Sequence, residues 1–183
     1  RKGADFIVSL AFKVMSTDCE YIFDISAEKA AYILTDYFRK KLKELAKTEN
    51  LAPESYSCTI SFICQQKKTG RVMSFILGDS NIYAVKGKKI DCLTGSREFF
   101  GRCCSIMTDG AAGQSKVMFM DRNTYSGFLI TSDGAWRIIF GNKEKRFGYE
   151  DVLINENMKE LSAFLDKESN TDDCSYAYLK ILS

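Results

Sequence analysis

The spacing of apolar residues along this chain is helical at first and then strand-like. From Ala4 to Met15 nearly every residue is apolar, and Ile7, Leu10, Ala11 and Val14 fall at helical spacing. That spacing predicts a buried helix rather than a strand, although "FIVSLAFKV" on its own fits both. Ser26 then stands as a helix-capping residue, with Lys29 where a reciprocal capping Glu would sit. Ala30, Ile33, Leu34, Tyr37, Phe38, Leu42 and Leu45 follow on one face, predicting a second helix to about Lys47.

After Pro53 the period becomes two. In "YSCTISFIC", Tyr56, Cys58, Ile60, Phe62 and Cys64 alternate with Ser57, Thr59 and Ser61, as a half-buried strand requires. "RVMSFIL", "NIYAV" and "IDCL" read as further strands, joined by "KKTG", "GDS" and "KGKK" turns into an antiparallel meander. The stretch from Gly95 to Gln114 shows no period. "KVMFM" and "GFLIT" are two more predicted strands, residues 157–167 a short helix carrying Met158, Leu161 and Leu165, and "SYAYLKIL" a closing strand. The expected class is α+β, with helices laid on antiparallel sheets. A single domain is expected over residues 1–183, with helices in about 4–48 and the sheet region in about 55–183.

Composition narrows the chemistry. The 183 residues are 45% apolar and 27% charged, ordinary for a globular domain. No run approaches the ~18 apolar residues of a membrane helix. A net charge of +2 gives no strong field for nucleic acid, and "RKKLKELAK" reads as a solvated helix face. Seven cysteines without a C-x-x-C pair point to free thiols and a reduced, cytoplasmic setting. The chain has no histidine, which excludes histidine general acid–base catalysis, the usual serine and cysteine triads and histidine-held zinc. Any metal must be held by oxygen ligands, which favours Mg²⁺ or Mn²⁺.

Oxygen ligands are available at strand ends. Asp133 follows "GFLITS", Asp79 follows "SFILG", and Asp172 and Asp173 precede the last strand. If those strands are antiparallel neighbours, the acids share one sheet edge, where their mutual repulsion calls for a cation. Gly134 after Asp133 permits a sharp turn there. Taken singly, each acid reads equally as a turn residue.

In order and spacing, "YSCTISFI", "GRVMSFILGDSNIYAVKGKKIDCLT", "GFLITSDGAW" and "TDDCSYAYLKI" resemble the metal-dependent protein phosphatases of the 2C type, and most of all their bacterial branch. The likeness runs from about Tyr56 to the end of the chain. It implies an antiparallel β-sandwich flanked by helices and a two-metal Mn²⁺ or Mg²⁺ centre. The implied reaction is hydrolysis of phosphoserine and phosphothreonine in protein substrates, with a metal-bound water as nucleophile and no side-chain nucleophile. By motif, Asp133 and Asp172 would be metal ligands and Asp79 would serve an accessory metal. Asp173 stands where the family often has Asn and would play a supporting part. Trp136 reads as a core anchor.

The chain departs from the pattern at two places. The family's earlier motifs, an acid in the first strand and an Asp-Gly followed by further glycines, are not matched. Asp5 and Asp24 flank apolar runs, but Asp24 is followed by Ile25 and Ser26. The two N-terminal helices therefore align with those that follow these motifs, and a partial catalytic domain is expected. The second departure is Arg137, where "DG-x-W" is often followed by an acid; a cation there argues against an ordinary accessory metal and suits phosphate. The alternatives are a phosphatase-like binding or regulatory module with a degenerate metal site, or an unrelated α+β domain whose Asp-Gly pairs are only turns.

Overall fold

The computed structural model describes residues 2–94, 104–121, 123–140, 152–168 and 174–181. Contacts divide the chain into two compact units: Arg1–Gly78 with Phe99–Met120, and Asp79–Glu98 with Asp121–Ser183. The first opens with α1 (Lys2–Thr17), α2 (Cys19–Asp24) and α3 (Ala27–Thr48), followed by a 3-10 turn at Pro53–Tyr56. Its sheet has the order β1 (Ile60–Gln65), β2 (Val72–Leu77), β5 (Lys116–Met120), all antiparallel, with the short helix α4 (Ala111–Gln114) leading into β5.

The predicted helical faces are those that bury. Ile7, Leu10, Ala11 and Val14 of α1 join Ala30, Leu34, Phe38 and Leu42 of α3 in one core with Met73, Phe75 and Leu77 of β2. Ser26 caps α3, its hydroxyl accepting from the Lys29 amide at 3.2 Å. Phe38 meets Phe75 edge-on at 6.0 Å between ring centroids, and Phe62 of β1 stacks on Phe75 at 5.3 Å. Ring pairs of this geometry add to simple burial.

Two local expectations are corrected here. The strand expected from Tyr56 starts only at Ile60, because Pro53 begins a 3-10 turn whose last residue, Tyr56, is buried and donates to Glu49 at 2.6 Å. Helices α2 and α4 were not anticipated: each is too short to show a period.

The second unit holds a four-stranded antiparallel sheet in the order β4 (Lys89–Cys92), β3 (Asn81–Lys86), β6 (Gly127–Thr131), β7 (Tyr176–Lys180). Helix α5 (Asp133–Phe140) follows β6, and α6 (Met158–Glu168) precedes β7. Tyr83 and Leu129 on the sheet pack with Ala135 and Ile139 of α5 and Leu161 and Leu165 of α6. Trp136 lies partly buried against this core, as an anchor should. At Gly127 a Cβ would collide with the Tyr178 hydroxyl, so the Tyr178 ring rests over the space that glycine leaves open.

We expect Phe38→Ala to cost about 3–5 kcal/mol in urea unfolding, the range for removing a buried aromatic ring. Thiol reactivity gives a second check. Burial pushes the Cys64 thiol up to about 12, with Cys19 acting in the same direction, whereas Cys92 is exposed. Because the thiolate is the reactive form, a thiol reagent at about pH 8 should modify Cys92 promptly and Cys64 only on unfolding.

Candidate functional site at one edge of the second sheet

Two ladders fix this edge. Thr131 at the end of β6 pairs with Asn81 at the start of β3 on one side and with Tyr176 at the start of β7 on the other. Asp79 and Asp133 each lie two residues beyond the Asn81–Thr131 pair, so the register brings both to the same end of the sheet. The chain reaches Asp79 through Gly78 at φ +123°, a backbone conformation that favours glycine. A Cβ at Gly78 would also fall 2.5 Å from the Thr59 side chain. Asp172 and Asp173 precede β7 in sequence but lie outside the described residues.

Polar clasps hold the two strand ends. On β3, the buried Thr94 hydroxyl donates to Asn81 Oδ1 at 2.8 Å, and the Ile82 amide donates back to that hydroxyl at 3.4 Å. Beyond β6, Ser132 serves both a helix and a strand. Its hydroxyl accepts from the Ala135 amide at 3.3 Å, capping α5, and from the Ser175 amide at 3.0 Å, while its own amide donates to the Ser175 carbonyl at 2.9 Å. Neither Ser132 nor the Thr94–Asn81 pair was expected from sequence. The Ser before Asp-Gly is a recognisable capping signal, whereas Thr94 carries no comparable mark.

The surroundings of Asp133 differ from the expected sharp turn. Gly134 is buried and helical, and the chain continues from β6 directly into α5. A serine cap followed by "DGAWRIIF", with Ala135 and Ile139 buried four residues apart, outweighs the low helix propensity of one glycine. Asp133 is thus the first residue of a helix, where the positive end of the peptide dipole stabilises a carboxylate. Both of its oxygens are engaged: Oδ1 accepts from the Gly134 amide at 2.8 Å, and Oδ2 pairs with Arg137 Nη2 at 3.1 Å, one helical turn on.

The donor chemistry of the described residues suits a hard cation in type, and they supply only part of the oxygens such an ion takes. The edge offers carboxylates and no histidine, whereas such ions take about six oxygens. Among the described residues no three acidic, cysteine or histidine side chains come together as a metal-holding group. Asp5, inside α1, and Asp24, at the end of α2, are exposed and belong to the first unit.

The family model described as Protein phosphatase 2C matches residues 1–173, and the chain belongs to that family. Among solved structures it is similar to a substituted variant of a bacterial serine phosphatase, with 20% identity, a TM-score of 0.55 and coverage of 85% of this chain and 67% of that one. It is also similar to the serine/threonine phosphatase Stp1 from Staphylococcus aureus, with 17% identity, a TM-score of 0.52 and coverage of 86% and 68%. A third is PppA from Pseudomonas aeruginosa, described as a key regulatory component of T6SS, with 12% identity, a TM-score of 0.52 and coverage of 85% and 68%. At these identities the likeness is one of fold, and the chain spans about two thirds of each of these structures. No curated protein matches it. The resemblance read from the strand motifs and the α+β class both hold. No helix among the described residues is long and apolar enough to cross a membrane.

Because Ser132 both caps α5 and ties it to the strand beside it, Ser132→Ala should lower stability by about 1–2 kcal/mol in urea unfolding. A loss under a few tenths would show that the two bonds do not act together.

Proposed function

We propose that this chain is phosphatase domain sequence acting on phosphoserine and phosphothreonine in protein substrates, dependent on Mn²⁺ or Mg²⁺ held at the β3–β6–β7 edge. The carrying observation is the register that places Asp79 and Asp133 at one end of the sheet. Asp172, four residues before the start of β7 in sequence, would add a further carboxylate, and Asp173 would support it. A bound divalent ion would supply an acidified water and neutralise phosphoryl charge. The chain's own part is to gather negative charge at a fixed spacing and to hold Asp133 on a helix whose cap is locked to the strand. Gly78, at a positive φ that favours glycine, leads directly into Asp79.

A second reading has its own support. The Asp133–Arg137 pair, which sets a cation against a carboxylate of the edge, favours a phosphatase-like binding or regulatory module with a degenerate centre.

Calorimetric titration with Mn²⁺, on this chain and on Asp133→Asn, separates the two. Under the first reading Mn²⁺ binds, the substitution weakens binding by at least about tenfold, and phosphate is released from a phosphothreonine peptide only with metal present. A folded chain that neither binds Mn²⁺ nor releases phosphate overturns the first reading for this chain and is the outcome the second expects.

A further inference from the structure

We infer that Arg137 is a built-in competitor for the Asp133 carboxylate, one that sets how tightly a divalent cation can be held there. The inference rests on the reading of Asp133 as a metal ligand and concerns the regulation of that site. Two sources of positive charge converge on this carboxylate: the N-terminal end of α5, whose Gly134 amide donates at 2.8 Å, and the guanidinium of Arg137 at 3.1 Å. Together they occupy both oxygens. A metal ion approaching Asp133 has to displace the guanidinium from Oδ2 or share the carboxylate with it.

The repulsion matters more than the ion pair. The Arg137 side chain is 61% exposed and that of Asp133 31%. A pair this open, spaced one helical turn apart, contributes little to stability. Breaking it costs little, so the pair as such would be a weak barrier. The guanidinium nevertheless carries its charge beside this carboxylate, inside the screening length of about 8 Å at physiological salt, and would repel a cation held there. The metal's double charge doubles the repulsion. An acid at the same place would attract the ion that Arg137 repels.

The test is Mn²⁺ calorimetry at constant ionic strength on the full chain and on Arg137→Gln, Arg137→Lys, Asp133→Asn and the double variant Arg137→Gln with Asp133→Asn. Circular dichroism confirms that each is folded. Arg137→Gln should bind Mn²⁺ roughly tenfold more tightly or better. Arg137→Lys should stay near the parent, because charge rather than fork geometry is at issue. The gain should vanish in the double variant. If Arg137→Gln binds like the parent while Asp133→Asn weakens binding, the inference fails and the reading of Asp133 as a ligand stands. If Asp133→Asn changes nothing in either background, that reading itself fails. No binding by any variant at about 10 mM Mn²⁺ overturns the inference, since removing the guanidinium then creates no affinity.

Discussion

The second unit is organised around the pairing of one residue with two strands. Thr131 stands opposite Asn81 on β3 and Tyr176 on β7, so three distant parts of the sequence end on a common line. Side chains alternate with a period of two, so a slip of one position would send Leu129 out of the core shared with α5 and α6. The same slip would move Asp133 out of line with Asp79. Core and candidate site are therefore set by one register, and the apolar face that fixes it also fixes where the acids go.

That arrangement gives Asp133 two functions. As the first residue of a capped helix it sits where a carboxylate is favoured without any ligand. As the residue just past a strand end it is also one of the acids the fold delivers to the sheet edge. In a chain with Arg137 one turn further on, the first function is satisfied within the protein. A family likeness establishes the scaffold on which such an edge is built, while the occupants of individual positions decide what the edge does.

Much of this was legible in the sequence, and the reasons differ from place to place. Long periodic faces such as Ile7 to Val14 and Ala30 to Leu42 are strong signals because burial and helical spacing agree. The strands from Val72 onward were legible because their turns carry glycine where the backbone requires it, as at Gly78. Helix α5 was missed because "DGAW" after a strand reads as a turn; the deciding information was the serine cap and the burial of Ile139, which depends on a helix far along the chain. The Asp133–Arg137 pair needed that helix before its spacing had meaning. Thr94 could not be found at all, since nothing local distinguishes a threonine that will clasp Asn81 from one that will face water.

The β6–β7 ladder also bears on the order in which this sheet can assemble. β3 and β4 are joined by a tight turn, but β7 reaches β6 only after the whole stretch from Ser132 to Ser175 has been gathered in. Closing a longer loop costs more chain entropy, though slowly with length, and that cost falls before the pairing can offset it. The β3–β6 ladder closes a stretch of similar length, from Val85 to Gly127, so both of these pairings carry a loop cost that the β3–β4 hairpin escapes. Until β7 docks, the Ser132 amide and hydroxyl lack their partners on Ser175, so the cap that seats Asp133 is completed by a strand more than forty residues further along the chain.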